Sequence, residues 1–274
     1  MKFTVLISVY KNDNVNFFKQ ALESVTCQQT KKPTQVVVVE DGPVPKVIDD
    51  TIEKLAEKEN EIEFTVITKK INAGLAAALN SGLGACKYEW IARMDSDDIS
   101  VPERFEKQIL YIEKNPEIDI IGGTISEFNE VPGDLKSERH VGISQEEIIK
   151  MARSRTPMNH VSVMYRKSAV IKAGRYSENF GKLEDYKLWV DMISHKANMA
   201  NIDDNLVYVR IGNGFISRRS SKREIQDWDM LQKYLKHTGL ITPFMGFRNR
   251  VYIRCFIYMP GWMKKLAYAV LLRR

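Results

Sequence analysis

The first 120 residues alternate between short apolar runs and stretches in which apolar residues recur at helical spacing. The runs have the length of buried strands and are Phe3 to Val9, Val36 to Val39, Phe64 to Ile67 and Trp90 to Met94. Strand–helix alternation with short connections is typical of a mostly parallel sheet covered by helices on both faces. The pattern therefore predicts an α/β fold with a mostly parallel central sheet flanked by helices.

The signals change after about residue 121. Gly122-Gly123, Pro132-Gly133 and the polar residues up to Ser144 predict a loop-rich insertion. Before it, Ser100-Val101-Pro102-Glu103 has the form of a capping box and predicts the start of a helix. A chain of 274 residues with 44% hydrophobic content suffices for one large core and an appendage. The predicted parts are residues 1–120, residues 121–220 and a helical C-terminal extension, 221–274.

Three carboxylates, those of Asp95, Asp97 and Asp98, stand together after the run from Trp90 to Met94. Like charges repel one another unless a cation neutralises them, and a hard divalent metal shared with phosphate prefers such oxygen ligands. A solvated acidic turn is the structural alternative. Glu40-Asp41-Gly42 also follows a predicted strand, and ligands of such sheets bind beyond the carboxyl ends of the strands. We therefore expect one crevice in which Mg²⁺ or Mn²⁺ holds a diphosphate.

Basic residues are concentrated near the C-terminus. The chain has 41 Lys and Arg against 35 Asp and Glu, a formal net charge of +6, and residues 248–274 contain no acid. Local basicity favours contact with anionic lipid or nucleic acid. Aromatic residues interleaved with arginines, as in this region, suit the interfacial zone of an anionic membrane. Because apolar residues occur all round rather than in one stripe, a helix pair packed on the core with basic outer faces is the alternative.

The cysteine pattern and the hydropathy indicate the cellular compartment of the protein. Cys27, Cys86 and Cys255 are widely spaced without a CxxC pair, which argues against a disulfide framework or zinc site and fits a reducing compartment. The first apolar run is followed by Lys11 to Asp13 and by no small-residue cleavage site. We therefore expect this run to be a strand rather than part of a signal peptide. No apolar segment reaches the roughly 20 residues of a membrane span. These features predict a cytoplasmic protein, soluble or peripheral to a membrane.

Five short motifs occur in order along the chain. They are Ser8-Val9-Tyr10, Glu40-Asp41-Gly42, Asn72-Ala73-Gly74-Leu75, Asp95-Ser96-Asp97-Asp98 and Leu183-Glu184-Asp185-Tyr186. The ordered set resembles the family 2 glycosyltransferases of GT-A fold, in particular the bacterial enzymes that build capsular or exopolysaccharide repeat units. The resemblance extends from Met1 to roughly Arg219 and implies a GT-A, Rossmann-like sheet. It also implies that residues 1–120 bind a nucleotide sugar and that residues 121–220 bind the acceptor and carry out catalysis.

In the resembled family, the first three motifs surround the nucleotide. Ser8 and Tyr10 would border the base, and Asp41 would accept hydrogen bonds from the uracil or ribose. Asn72 and Gly74 would let the backbone lie against the nucleotide, since Gly74 lacks a Cβ that would clash. An ordinary Asp-Gly turn at Asp41 and a helix N-cap at Asn72 are the structural alternatives.

The resemblance makes Asp95-x-Asp97 the metal motif. Asp97 would ligate the cation, Asp95 would touch the ribose or a metal-bound water, and Ser96 would lie with them at the donor. Arg93 is expected to pair with one of these acids, in a functional or a purely structural ion pair. Arg218-Arg219 fall where related enzymes carry a loop that grips the diphosphate, and arginine suits bidentate phosphate contacts. A solvated charge pair is the alternative for these two arginines.

The last motif implies the catalytic pair. Inverting transfer needs a general base that takes a proton from the acceptor hydroxyl as that hydroxyl attacks the anomeric carbon. In similar enzymes the Asp of a Glu-Asp dipeptide is this base, which implies Asp185, with Glu184 orienting sugar or acceptor. Acids in a first helical turn also complement the helix dipole, which is the structural alternative. His160 is a further candidate contact for the sugar or acceptor.

These features predict an inverting, metal-dependent transferase. It would move a hexose or N-acetylhexosamine from a UDP-sugar to a saccharide acceptor, expected to be polyprenyl-linked, at the inner face of the cell membrane. Nucleic acid is not an expected partner, because the acidic crevice does not suit it. The alternatives are a non-catalytic nucleotide-sugar-binding protein of the same fold and a haloacid-dehalogenase-like phosphatase. Asp98 after the motif and the four strand signals before it disfavour the phosphatase.

Overall fold

Strands and helices alternate along most of the computed structural model, which describes residues 1–211, 222–260 and 263–264. The first elements are β1 Phe3–Val9, α1 Val15–Val25, β2 Gln35–Glu40, α2 Lys46–Lys58, β3 Glu63–Thr68, α3 Leu75–Ala85, β4 Trp90–Met94, β5 Ile99–Ser100 and α4 Arg104–Lys114. The later elements are β6 Ile120–Phe128, β7 Glu138–Arg139, α5 Gln145–Met151, β8 Met164–Arg166, α6 Lys167–Lys172, α7 Glu184–Ser194, β9 Met199–Arg210, α8 Lys222–His237 and α9 Pro243–Tyr258.

One sheet contains all of these strands, in the order β3-β2-β1-β4-β8-β6-β9-β5, with β7 paired to β6. Strands β3, β2, β1 and β4 are parallel to one another. Beyond them the sheet is mixed, because β8 runs antiparallel to both β4 and β6 while β6 and β9 are parallel. The predicted α/β fold is therefore confirmed, and its parallel part is the half that carries the first four motifs.

Helices cover both faces of the sheet, as predicted. On one face Phe18 of α1, Ile48 of α2 and Phe105 of α4 pack against alternate residues of β1. On the other face Leu79 of α3 and Trp189 of α7 belong to an apolar cluster that contains Leu6 of β1. Because β1 and β2 are covered from both sides, they are apolar almost throughout, which is typical of buried parallel strands.

Two glycines of α3 give a matched test of this packing. A Cβ on Gly82 would collide with Leu6 Cδ1 and lie 2.9 Å from Val39 Cγ2, whereas a Cβ on Gly84 would meet nothing within 4 Å. We expect Gly82→Ala to lower the free energy of unfolding by about 1–3 kcal/mol. Gly84→Ala should instead raise it by about 0.5 kcal/mol, since alanine favours the helix. Urea denaturation of both variants measures the difference, and equal effects would contradict this packing.

Two local predictions are wrong. Ser100 is not a helix cap but lies in β5, where its hydroxyl accepts a hydrogen bond from Gln29 Nε2 at 3.1 Å, and α4 begins four residues later. Gly122-Gly123 do not open a loop but lie inside β6. A Cβ on Gly122 would lie 2.5 Å from Asn201 Oδ1, and one on Gly123 would lie 2.6 Å from Leu206 Cδ1. The two glycines therefore permit close packing of β6 with β9, which the local sequence does not reveal.

The predicted helical extension is a hairpin formed by α8 and α9. Its first helix packs on α7, and the shared apolar cluster contains Phe180, Tyr186, Val190, Leu231, Leu235 and Ile241. Gly239, with φ +75°, allows the sharp reversal between the two helices. Among the described residues, no helix is both long and apolar enough to cross a bilayer.

Candidate active site

A cleft of about 320 Å³ opens where β1, β2 and β4 end. Seven of the residues predicted from the motifs line it, and these are Ser8, Tyr10, Asp41, Asn72, Gly74, Asp95 and Ser96. Asp13, which the motifs did not identify, also lines the cleft. The carboxyl ends of neighbouring parallel strands meet at one edge, so motifs nearly ninety residues apart in sequence share one cavity.

The Asp41 carboxylate organises one wall of the cleft. Its two oxygens accept hydrogen bonds from the backbone N–H groups of Ala73, at 2.9 Å, and Gly74, at 2.8 Å, and Lys69 Nζ lies 3.1 Å away. Gly42 has φ +89°, and a Cβ there would lie 2.7 Å from the Asn72 nitrogen, so the Asp-Gly turn lies directly against this loop. A carboxylate offers about four acceptor positions, which leaves Asp41 capacity for a ligand.

The alternative role of Asn72 as a helix N-cap is wrong. The N-cap of α3 is Gly74, whose φ of +91° no other residue adopts easily, and no side chain caps this end of the helix. Asn72 instead lies at the cleft, two residues before the cap. Its side chain is exposed and so remains open to a ligand in the cleft.

Carboxylates crowd the loop after β4. Burial, with the charges of Asp95 and Asp13, raises the pKa of Asp97 to about 6. Burial, with the charges of Asp95 and Asp97, raises the pKa of Asp98 well above its ordinary value. The Ser96 hydroxyl donates to Asp13 Oδ2 at 2.7 Å, which ties the end of β1 to this loop. The two pKa values are thus raised first by desolvation and then by repulsion between neighbouring acids, a repulsion that a bound cation would relieve.

The acidic loop suits a metal that is shared with a substrate. Within the described ranges, no group of three or more His, Cys, Asp or Glu side chains is placed to hold a metal ion. Mg²⁺ is commonly bound by one or two carboxylates together with substrate phosphates rather than by an all-protein cage. Asp95 and Asp97 therefore fit a cation that a diphosphate helps to hold, with Asp13 as an additional nearby acid.

Two buried arginines lie behind the acidic loop. Arg93 is almost completely buried and donates a hydrogen bond to Asp95 Oδ1, while its Nε and Nη1 atoms have no hydrogen-bond partner. Arg104, which the motifs did not identify, donates to the Arg93 carbonyl at 2.8 Å. Burial and the Arg93 charge lower the pKa of Arg104 to about 9. The Arg93 guanidinium thus contacts the acidic loop, and Arg104 supports the backbone of Arg93.

Asp98 and Arg210 join the acidic loop to the far side of the sheet. Asp98 Oδ1 accepts a hydrogen bond from the Arg210 backbone N–H at 2.8 Å, and Arg210 Nε donates to the Asp97 carbonyl at 3.1 Å. The Arg210 guanidinium also lies 3.7 Å from the centre of the Phe17 ring. Asp98 is thus a positioning residue, since it fixes the loop to the end of β9. Arg218 and Arg219 lie outside the described residues, so their phosphate-binding role stays a prediction.

Glu184 and Asp185 form the first turn of α7, so the predicted pair also complements the helix dipole. The Asp185 carboxylate accepts from the Tyr186 N–H at 2.6 Å. Glu184 is buried, and its Oε2 atom has no hydrogen-bond partner. Burial and the Asp185 charge raise the pKa of Glu184 to about 8; Arg93 opposes this rise and Asp95 adds to it. The Glu-Asp helix is therefore near enough to the acidic loop for their charges to interact.

Replacing Glu184 should change how stability depends on pH. Its carboxyl group has a folded-state pKa of about 8 against 4.5 ordinarily, so its favourable contribution is complete below pH 4.5 and is lost as the pH rises to about 8. We expect Glu184→Gln to match the wild-type Tm at the acid end of this range and to exceed it at the alkaline end. Glu138→Gln, at a half-exposed side chain, is the control. A Tm difference independent of pH would contradict the buried, protonated Glu184.

His160 is held by contacts with aromatic side chains. Its Nε2 lies 3.0 Å from the Tyr176 hydroxyl, which lies 3.5 Å from the Tyr165 hydroxyl, and its ring packs against the edge of Trp189. Burial lowers the pKa of His160 well below its ordinary value, so the ring is neutral. These contacts account for His160 structurally, and its contact with a sugar stays a prediction.

The chain matches the family model of glycosyl transferase family 2 over residues 4–180. An uncharacterized glycosyltransferase of Haemophilus influenzae is 39% identical, with both chains covered completely. The amylovoran biosynthesis glycosyltransferase AmsE of Erwinia amylovora is 38% identical over 92% of this chain and 93% of the relative. An Escherichia coli UDP-Gal:alpha-D-GlcNAc-diphosphoundecaprenol beta-1,3-galactosyltransferase is 30% identical over 100% and 97%.

Solved structures share the fold. TarS 1–349 of S. aureus in complex with UDP-GlcNAc has a TM-score of 0.67 at 17% identity, over 100% of this chain and 76% of that one. The mannosyltransferase PcManGT of Pyrobaculum calidifontis, in complex with GDP-Man and Mn2+, has a TM-score of 0.63 at 15% identity, over 98% and 73%. The predicted GT-A fold is confirmed by these neighbours. By the family match and by relatives that align along its whole length, this chain is a glycosyltransferase and belongs to glycosyl transferase family 2.

Proposed function

We propose that this enzyme transfers a hexose or N-acetylhexosamine from a UDP-sugar to a lipid-linked saccharide during synthesis of a surface polysaccharide. The single observation that carries the proposal is the cleft at the ends of β1, β2 and β4, which is lined by Asp41 and by Asp95 of the acidic loop, a loop whose charges also reach Glu184 of α7. Two relatives support the substrate classes, since one is named for UDP-Gal and a diphosphoundecaprenol acceptor and the other for amylovoran biosynthesis.

The cleft would hold the nucleotide. The uracil would lie beside Ser8 and Tyr10, and the ribose would reach Asp41 and Asp95, whose carboxylates accept hydrogen bonds from hydroxyl groups. The backbone next to Gly74 would lie against the nucleotide, since this residue brings no side chain into the cleft. Asp41 holds the Ala73-Gly74 segment in place through its two hydrogen bonds to backbone N–H groups.

Asp97, with Asp95, would hold Mg²⁺ or Mn²⁺ at the diphosphate. A bound divalent cation stabilises the negative charge that develops on the departing nucleoside diphosphate. The chain's own contribution is to position the loop. Asp13 holds Ser96, Asp98 fixes the loop to β9, and Arg93 orients Asp95.

Asp185 would act as the general base at the acceptor. It would take the proton of the acceptor hydroxyl while that oxygen bonds to the anomeric carbon and the bond from this carbon to the β-phosphate oxygen breaks, which releases UDP. Glu184, buried and protonated near neutral pH, can donate a hydrogen bond to a sugar or acceptor oxygen.

A panel of UDP-sugars with Mg²⁺ or Mn²⁺ tests the proposal directly. Release of UDP, faster in the presence of a diphospho-polyprenyl saccharide, is the expected result with at least one hexose or N-acetylhexosamine donor. UDP binding without transfer to any saccharide acceptor would favour the non-catalytic alternative instead. Neither binding nor turnover with any UDP-sugar would contradict the proposed donor class.

A further inference from the structure

The outward face of α9 carries an apolar stripe. Phe244, Phe247, Val251 and Tyr258 follow one another at intervals of three, four and seven residues, which places them on one side of a helix. Their exposed fractions are 73%, 66%, 40% and 71%, unusually high for large apolar side chains. Cys255, also exposed, lies within the same stripe. We call these five residues the α9 stripe.

The opposite face of α9 is used for packing within the chain. Gly246, Asn249 and Ile257 are buried there. Asn249 Nδ2 donates to Gln232 Oε1 of α8 at 2.9 Å and to the Arg153 carbonyl at 2.8 Å. The helix is therefore apolar on two faces, which is why its sequence showed no single stripe. The inner face packs on the rest of the chain, as the alternative of a helix pair packed on the core predicts. The α9 stripe faces outward and is not used in that packing.

Positive charge flanks the stripe on both sides. Arg248 follows Phe247 on one side, and Arg250 and Arg254 lie on the other. One acid, Asp229 of α8, lies 2.6 Å from Arg254 and 3.6 Å from Arg250, so it cannot neutralise both. No Asp or Glu occurs anywhere in the sequence from residue 239 to residue 274. The α9 stripe is thus flanked by positive charge, which favours binding to a negatively charged surface.

We propose that the α9 stripe docks the enzyme on an anionic bilayer, with Phe244, Phe247 and Tyr258 inserted at the level of the lipid headgroups. Aromatic side chains flanked by arginine are the features with which helices lying in the membrane plane bind anionic lipid. A second copy of the chain is a poorer partner, because it would bring arginines against arginines without acids between them. The proposal rests on the proposed function, since a lipid-linked acceptor requires the enzyme to work at a membrane.

The docking surface on α9 is connected to α7 through α8, which packs against both helices. Leu231 and Leu235 of α8 share an apolar cluster with Tyr186 and Val190 of α7, the helix that begins with Glu184. The Tyr234 hydroxyl also donates to the Asp191 carboxylate of α7. Membrane contact at α9 would therefore orient the Glu-Asp helix relative to the bilayer, from which the acceptor headgroup projects.

Vesicle sedimentation of the full chain tests the docking. Wild type should bind vesicles of phosphatidylcholine with phosphatidylglycerol and should not bind vesicles of phosphatidylcholine alone. The double variant Phe244→Ser/Phe247→Ser should bind the anionic vesicles at least about tenfold more weakly, because two exposed aromatic anchors are lost. Leu110→Ser is the matched control, since Leu110 is a half-exposed apolar residue of another helix, α4. Equal binding by wild type and the double variant would overturn the proposal.

A second measurement does not depend on the double variant. In Cys27→Ser, an environment-sensitive fluorophore can be attached at exposed Cys255, since the remaining thiol, Cys86, is buried. Its emission should shift to the blue with anionic vesicles and stay unchanged with neutral ones. No shift, or concentration-dependent dimerisation in solution that Phe244→Ser/Phe247→Ser abolishes, would overturn membrane docking. UDP binding without vesicles is measured in parallel. Absence of UDP binding would contradict the proposed donor, whereas the vesicle result would still test the docking.

Discussion

Asp185→Asn should lower kcat by about 10²–10⁴-fold, the usual contribution of a positioned general base. Asparagine is nearly the same size and can still accept the Tyr186 N–H bond through its amide oxygen, so the start of α7 should keep its geometry. It cannot take a proton from the acceptor hydroxyl. The affinity for UDP, measured by calorimetry, should stay close to that of wild type, because the cleft proposed for the nucleotide is formed by other elements.

Asp204→Asn is the control for this prediction, since Asp204 is a half-exposed acid of β9 paired with Lys107. It should retain wild-type kcat and UDP affinity. A wild-type kcat for Asp185→Asn would show that another group takes the proton. Loss of UDP affinity and kcat together would instead assign Asp185 to the structure of the site.

Asp97→Asn should lower kcat/KM by about 10²–10³-fold, the range expected when one electrostatic contact to the transition state is removed. The physical reason is that desolvation, with repulsion from Asp95 and Asp13, raises the pKa of Asp97, and this side chain is exposed to a ligand. Replacing it removes a metal ligand and relieves that repulsion. UDP affinity should then no longer increase when Mn²⁺ is added, a readout independent of turnover.

Asp203→Asn is the matched control here, because the Asp203 side chain is 69% exposed and lies on β9. Its UDP affinity should respond to Mn²⁺ as in wild type. If Asp97→Asn kept both its Mn²⁺ response and its activity, the acidic loop would not be the metal site. A thermal unfolding curve for each variant separates loss of binding from loss of folding.

The parallel half of the fold, which carries the first four motifs, was predictable from sequence for a physical reason. Strands β1 and β2 are buried on both faces, so they appear as unbroken apolar runs, and polar motifs then mark their carboxyl ends. In the second half, β5, β7 and β8 have only two or three residues each, too few to show a period. Gly122-Gly123 have the local sequence of a loop, because the residues that require these glycines lie about eighty positions away.

The supporting residues of the site were the part that the motifs missed. Arg104 occupies the inward face of α4 among Phe105, Gln108 and Ile109, so its position in the helical period was a usable signal for a buried cation. Arg210 offered no such signal, because its contact with Asp98 spans 112 residues. The α9 stripe was hidden for another reason, since both faces of that helix are apolar and only packing on α8 distinguishes them.

A crystal structure with UDP and Mn²⁺ bound is the most direct test of the shared site. We expect the uracil beside Ser8 and Tyr10, the cation on Asp97, and the β-phosphate on the side of the nucleotide that faces Glu184 and Asp185. Placement of the pyrophosphate away from Asp97, or of UDP outside the cleft, would contradict the assignment of this sheet edge as the place where sugar is transferred.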